Sequence, residues 1–283
     1  MPVKLQQILE RARNPVRFVR GLTWELAKAR RHASDTRSLV RLWIDILLFR
    51  VLFLLPRLGV RCRLRTVRLD GASITYRLNR GDIQSIREVW YLQAYRVPFG
   101  PNPKTVLDLG ANIGLTSVWL ARMYDCAHVV GVEPDPENAA LARRNLAQNG
   151  VRGEIIEAAV GPCNGKAPFA TSSHSNLGSL VGLGGATLDV AVRDPQSLLD
   201  EAGLGAVDLC KLDIEGGEGP LLLEGDGAWL TGVRSVIAEL HETVIDANAV
   251  IAAIEAGGLR YYPAGADGRK LDFFSVDDAG ARS

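Results

Sequence analysis

The stretch Thr105–Ser117, T-V-L-D-L-G-A-N-I-G-L-T-S, constrains this chain more than any other part of it. Val106, Leu107 and Leu109 make a short apolar run that stops at Gly110, the pattern of a buried parallel strand. Gly110 and Gly114 bracket a tight turn, and Leu115–Met123 then shows helical spacing of Leu115, Val118, Trp119 and Ala121. A strand, a glycine turn and a helix start in this order form a ligand cradle: glycines let backbone approach closely, and first-turn N–H groups face the ligand. The spacing is D-x-G-x-x-x-G, so the middle glycine that makes room for a dinucleotide pyrophosphate in G-x-G-x-x-G is missing. Asp108, two positions before Gly110, stands where it could meet a cationic or amino-bearing ligand. The plain alternative is that Gly110 and Gly114 serve only a buried αβ turn.

A second anchor follows at the expected distance. Val129–Val132 is another buried-strand run, and it ends in Glu133. Nucleoside-binding αβ folds place the carboxylate for ribose hydroxyls about 20 positions after the glycine turn, which is where Glu133 falls. Pro136 suits the first turn of a helix over Pro136–Asn149, and Asn149-Gly150 suits its end.

Along the rest of the chain, strands and helices alternate. Val67–Leu78 predicts a hairpin around Asp70-Gly71, and Gly81–Tyr95 a helix. Glu154–Val160, Ala186–Val192, Val207–Ile214 and Val233–Leu240 read as further strands, with a helix over Ala247–Ala256 and a closing hairpin over Leu259–Val276 around Asp267-Gly268. The polar stretch Ser172–Gly185 suits either a substrate lid or a mobile connection. The pattern predicts an α/β fold, a seven-stranded, mostly parallel sheet with an antiparallel last strand. Ligands of such sheets lie at the carboxyl ends of the strands. Those ends carry Asp108 and Gly110, then Glu133, then Asp213 with Glu215, then Glu239 with His241.

Charge divides the chain near Asp70. Residues 1–70 hold 16 Lys/Arg against 5 Asp/Glu, and residues 71–283 hold 17 against 27. Two domains are expected: a basic, helical, amphipathic segment over 1–65 and an αβ domain over 66–283. The apolar core Leu42–Leu55 is broken by Asp45 and Arg50 and is too short to span a bilayer. The segment suits a helical cap, a partner-binding arm, or peripheral contact with an anionic membrane through residues 1–60. Its aromatics lie in apolar runs and give no base-stacking platform, so nucleic acid is not an expected partner. The scattered Cys62, Cys126, Cys163 and Cys210 and the polar start of the chain fit a reducing, cytoplasmic setting.

The motif at Thr105–Ser117 resembles motif I of class I methyltransferases. K-L-D-I-E-G-G-E at Lys211–Glu218 is similar to the K-x-D-x-E-G-x-E signature of the FkbM family. Ala159-Val160, T-L-D at Thr187–Asp189 and V-I-A-E-L-H-E at Val236–Glu242 follow in family order, so the resemblance covers about 70–276. It implies a class I methyltransferase fold, S-adenosylmethionine as methyl donor, and a hydroxyl oxygen of a sugar or specialised metabolite as acceptor. Asp108, Gly110, Asn112 and Gly114 would then hold the methionine end, and Glu133 the ribose. An NAD-dependent oxidoreductase is the alternative enzyme, opposed by the missing glycine; a non-catalytic, membrane-peripheral scaffold is the alternative without catalysis.

A hydroxyl needs help to release its proton. His241 is the expected base, because a histidine titrates near working pH, with Asp213 and Glu239 beside it. Asp213, Glu215 and Glu239 offer an oxygen-rich alternative, a Mg²⁺ site that would acidify the hydroxyl. Glu215 and Glu218 could equally cap the following helix, and Lys211 could pair with one of these acids. The acceptor's identity and the oligomeric state are not legible.

Overall fold

A computed structural model describes residues 15–54, 64–171, 186–265 and 271–277, in two compact units, Met1–Tyr91 and Leu92–Ser283. The stretch Ser172–Gly185 and the turn Asp267-Gly268 lie outside the described residues.

The first unit begins with two helices, α1 (Pro15–His32) and α2 (Thr36–Leu54). Asp35 starts α2 by accepting the Ser38 N–H at 2.7 Å, an N-cap that satisfies an otherwise orphaned donor. The strands β1 (Leu64–Leu69) and β2 (Ala72–Arg77) pair antiparallel through Asp70 and Gly71, both at positive φ, as a two-residue hairpin of the expected chemistry requires. This hairpin belongs with the helices rather than with the αβ domain. Ser38 Oγ accepts the Arg68 N–H at 2.8 Å, Arg41 donates to the Thr66 carbonyl at 3.0 Å, and Tyr76 Oη donates to the fully buried Asp45. The division therefore falls after Tyr91, and the expected boundary at 65 is displaced by the docking of β1 and β2 on α2. The predicted helix over Gly81–Tyr95 is α3 (Arg80–Ile86), capped by Asn79, followed by a π-type turn over Arg87–Leu92.

The second unit is a seven-stranded sheet. Its strands are β3 (Thr105–Leu109), β4 (His128–Val132), β5 (Gly153–Ile156), β9 (Val207–Leu212), β10 (Val233–Ala238), β11 (Arg260–Tyr262) and β12 (Asp272–Ser275). Their order across the sheet is β11-β12-β10-β9-β3-β4-β5, parallel except for β12, which pairs antiparallel with both β10 and β11. The predicted third strand divides. It leaves the sheet after Ile156, and Ala159–Val160 becomes β6, which with β7 (Gly165–Thr171) and β8 (Ala186–Arg193) forms a separate three-stranded sheet in the order β6-β8-β7.

Helices α4 (Leu115–Tyr124), α5 (Pro136–Gln148), α6 (Pro195–Glu201), α7 (Glu218–Leu223) and α8 (Ala247–Ala256) supply the crossovers. One continuous core joins Leu107, Leu109, Val130, Val132, Leu212, Val236 and Phe274, which strand alternation and register place on one face of the sheet. From β3 the chain turns to β4 on one side, while β9 pairs with β3 on the other. The β3–β9 seam is thus the topological switch point, where a ligand crevice opens beyond the strand ends.

Candidate active site

The glycine turn is shaped by packing inside the protein. Gly110 sits at φ +81°, and a Cβ there would lie 2.0 Å from the Asp213 carbonyl oxygen; Gly114 sits at φ +75°, with Ala142 Cα 2.9 Å from its missing Cβ. Both glycines therefore let neighbouring backbone close in: the loop after β9 at Gly110, and helix α5 at Gly114. The turn's own N–H groups are also engaged. Gly110 and Ala111 donate to the Val132 carbonyl, and Asn112, at φ +50°, donates to Glu133 Oε2 at 2.8 Å. The open donors are those of the first turn of α4, which begins at Gly114 with no side-chain cap.

Glu133 lies at the end of β4, 6% exposed. Its other oxygen, Oε1, accepts the Asp135 N–H at 2.9 Å. Burial pushes this carboxyl up to about 7, against the pull of the two backbone N–H groups. The carboxylate is thus removed from water and held in place by backbone N–H groups on both oxygens.

Asp108 takes a different place from the one expected of it. It is fully buried; its Oδ2 accepts the Ser117 hydroxyl at 2.6 Å, and its Oδ1 stands 3.3 Å from Lys211 Nζ. The amino group it meets is the protein's own. Burial pulls the Lys211 ammonium down, but the Asp108 and Asp213 carboxylates hold it above its ordinary value, charged. Lys211 also donates to the Gly110 carbonyl at 2.5 Å, so it ties β9 to the glycine turn. Of the strand-end acids expected as its partner, Lys211 reaches Asp213, at 3.6 Å, but its shorter contact is to Asp108, which lay outside that expected set.

Asp213 follows β9 directly. Its Oδ2 accepts the Tyr95 hydroxyl at 3.0 Å and lies 3.6 Å from Lys211 Nζ. Two residues on, Glu215 adopts φ +54° and Gly216 φ +93°, a sharp reversal that lifts the Glu215 carboxylate toward His241. His241 lies between two carboxylates: Nε2 is 3.4 Å from Glu215 Oε2, and Nδ1 is 3.1 Å from Glu218 Oε1. Hydrogen bonds donated to Glu215, then to Glu218, outweigh the burial cost and raise its pKa to about 11. An imidazole with an acceptor at each nitrogen is a donor on both sides, so His241 is an imidazolium here and does not suit the role of resting base expected of it. Glu218 is also placed differently from a helix cap. Its carboxylate reaches back to the Ile214 N–H at 2.9 Å and fastens the loop.

Asp213, Glu215 and His241 can bring one ligand atom each within 4.8 Å of one another. The expected cation set of Asp213, Glu215 and Glu239 is not the grouping formed, since His241 stands where Glu239 was expected. A magnesium ion prefers an all-oxygen shell. This set supplies two carboxylates and a nitrogen already protonated between Glu215 and Glu218, a poor fit to Mg²⁺. Glu239 remains at the end of β10, its N–H bonded to the Leu212 carbonyl at 3.0 Å.

Tyr95, Ser117 and Glu218 complete these networks without being predicted as partners. Glu218 was visible in the K-x-D-x-E-G-x-E signature; Tyr95 and Ser117 carried no local signal of their pairing.

A parallel sheet of this order, closed by an antiparallel strand and carrying a glycine turn and an acidic second strand end at its switch point, defines a class I methyltransferase. The methyltransferase FkbM domain matches residues 108–261, and the chain belongs to that family. It is 24% identical over 229 residues to the 31-O-demethyl-FK506 methyltransferase FkbM of Streptomyces tacrolimicus, covering 68% of this chain and 88% of the relative. It is 25% identical over 195 residues to the 2-O-methyltransferase NoeI of Sinorhizobium fredii (strain NBRC 101917 / NGR234), covering 60% and 79%. Among solved structures, the putative transferase PH0793 from Pyrococcus horikoshii aligns with a TM-score of 0.44 at 12% identity, covering 78% of this chain and 75% of that one. Family membership removes the oxidoreductase alternative. Among the described residues no helix is long and apolar enough to cross a membrane.

Proposed function

We propose that this methyltransferase acts on a hydroxyl oxygen of a sugar or specialised metabolite, with S-adenosylmethionine as donor. The observation that carries the reading is the direct apposition of the glycine turn and the Asp213–Glu215 loop, with the Asp213 carbonyl occupying the space beside Gly110. The names of two relatives, a 2-O-methyltransferase and a 31-O-demethyl-FK506 methyltransferase, agree with an oxygen acceptor.

The residues fit the donor. The uncapped start of α4, reached past Asn112 and Gly114, offers N–H groups to the carboxylate of the methionine end. Glu133, bonded to the Asn112 N–H, stands at the next strand end for the ribose hydroxyls. When bound, S-adenosylmethionine supplies a methyl group already activated on a sulfonium, so the protein mainly has to align the acceptor. Asp108 and Lys211 support the turn from beneath.

On the acceptor side, Asp213 or Glu215 receives the hydrogen bond of the attacking hydroxyl. That carboxylate would take the hydroxyl proton as the acceptor oxygen receives the methyl group that bound S-adenosylmethionine would supply, with S-adenosylhomocysteine as the leaving product. His241, charged throughout, holds Glu215 in place and is a positioning residue. Glu239, on the neighbouring strand end, completes the acidic rim.

Calorimetric titration with S-adenosylhomocysteine tests the donor site: micromolar binding is expected, and its loss in Glu133→Ala. A mass-spectrometric screen of sugar and polyketide hydroxyl acceptors, run with EDTA and with Mg²⁺, tests the rest. A product with a methyl ether, formed equally under both conditions and lost in Asp213→Asn, is the expected result. Methylation of nitrogen or carbon instead would overturn the oxygen assignment; binding without transfer to any acceptor would favour a scaffold.

A further inference from the structure

The outer surface of the N-terminal helices has the wrong polarity for a face that stays in water. Val40, Trp43, Ile44, Leu47 and Leu48 of α2 are between 37% and 48% exposed. Their spacing of three and four residues puts them on one face of the helix. The opposite face, with Ser38, Leu42, Asp45 and Ile46, is the buried one. A surface helix ordinarily turns its polar side outward; here apolar side chains occupy both sides. Helix α1 adds Phe18 and Val19, 37% and 53% exposed. The two helices meet along their length: the Trp43 indole N–H donates to the Leu26 carbonyl at 3.1 Å, and the Arg50 guanidinium lies over the Phe18 ring at 4.9 Å.

Charge is sorted in the same way. Residues 15–54 hold eight Lys/Arg and three Asp/Glu, a net +5. All three acids are engaged within the unit. Glu25 is paired with Arg50 and Arg87, Asp45 takes the Tyr76 hydroxyl and stands beside Arg65, and Asp35 caps α2. Arg20, Arg30, Arg31 and Arg37 are exposed. What faces outward is an apolar stripe with arginines around it.

We infer that the α1–α2 hairpin lies on the surface of an anionic phospholipid bilayer. The stripe enters the headgroup–acyl boundary and the arginines meet lipid phosphates, the combination that holds an amphipathic helix in the plane of a membrane. Neither α1 nor α2 is apolar enough to cross it, which leaves a lying rather than a spanning arrangement. Charge complementarity selects this occupant over a second copy of the chain, because two such faces would bring like charge against like charge. The inference does not depend on the methyl acceptor.

The test is co-sedimentation of the full chain with vesicles of phosphatidylcholine alone and of phosphatidylcholine with phosphatidylglycerol. Binding to the anionic vesicles is expected at least tenfold tighter, and weakened several-fold by high salt. The double variant Ile44→Glu/Leu47→Glu, at exposed positions, should lose at least tenfold in binding with an unchanged melting temperature. Leu223→Glu, at an exposed apolar position on the second unit, should bind as the parent chain does. On the unaltered chain, brominated lipid should quench the fluorescence that Trp43→Phe removes. Equal binding to both vesicles, full binding by the double variant, or no quenching overturns the inference. So does a dimer that the double variant dissolves while vesicles recover no protein, which would assign the face to a second copy.

Discussion

In the N-terminal unit Glu25 and Asp45 of the helical hairpin are buried and the exposed side is apolar and basic; in the sheet unit Asp213, Glu215 and Glu239 stand at the strand ends, each partly open to solvent. Each unit buries carboxylates completely, among them Asp45 in the first and Asp108 in the second. The two are held differently. Asp45 meets a phenol and, at 3.3 Å, the partly exposed Arg65, and burial raises its pKa. Asp108 meets a buried ammonium at 3.3 Å, and both members of that pair are almost fully removed from water. The first arrangement only has to fasten a hairpin. The second has to hold two strand ends and a turn in register beside a reacting ligand, and a charged pair in a dry interior fixes geometry more tightly than a phenol does.

The largest expected effect follows from that difference. Lys211→Met leaves Asp108 buried without its countercharge and should cost about 3–5 kcal/mol of stability. The double variant Asp108→Asn/Lys211→Met should recover more than half of the loss. Asp45→Asn, by contrast, should cost about 1 kcal/mol, the scale of one hydrogen bond. Urea denaturation of the four proteins measures all of this, and equal costs for Lys211→Met and Asp45→Asn would dissolve the distinction.

His241 tests whether the strand-end acids are held as a network. Replacing it with Gln removes two charge-assisted hydrogen bonds and should destabilise by about 2 kcal/mol. The pH dependence carries the sign. The folded pKa, about 11, lies above the ordinary 6.5, so the contribution is fully present below about pH 6.5 and is lost as pH rises toward 11. The stability gap between parent and variant should therefore be widest in mild acid and narrow in alkali. A gap that instead widens above neutrality would mean a neutral ring, and would restore His241 as a base.

The pairing of legible and hidden features follows sequence distance. The strand, turn and helix at Thr105–Ser117, the Glu133 anchor and the Asp70-Gly71 hairpin were readable because each depends on neighbours a few positions away. That Gly110 and Gly114 bracket a tight turn with close backbone approach was also readable. What fills the space beside them was not, because Asp213 and Ala142 arrive from other elements. Lys211 reaches Asp108 and Gly110, and Tyr95 reaches Asp213, across roughly a hundred residues, and no local pattern records such pairs. The same reason explains His241: the signature showed the residues, but only the reversal at Glu215 and Gly216 places a carboxylate at each ring nitrogen. The hairpin at Leu64–Arg77 was legible as a hairpin, whereas its docking on α2 rests on Ser38, Arg41 and Asp45, whose spacing looked like that of any helix.

The smallest expected effect concerns Glu133 and separates a ligand-binding carboxylate from a structural one. Burial holds its pKa near 7, above the ordinary 4.5. In the free protein the group's contribution to stability is thus present below about pH 4.5 and lost as pH rises through 7. On the proposed reading, ligand binding reverses the preference, because ribose hydroxyls would donate to the ionised form and favour loss of the proton. Asp135, the Asn112 N–H and the Asn138 amide face it, and the Lys211 ammonium is close enough to act on it electrostatically. S-adenosylhomocysteine should therefore bind about tenfold more weakly for each unit that pH falls below 7, about 1.4 kcal/mol per unit, with a proton released on binding near pH 6. Titrations in two buffers of different ionisation enthalpy would show the release. Glu133→Gln, which keeps the shape and cannot ionise, should bind weakly with a flat profile. A parent protein whose affinity is equally flat across that range would leave Glu133 as a brace between the Asn112 turn and the start of α5, and the ribose contact would have to be sought elsewhere on the sheet edge.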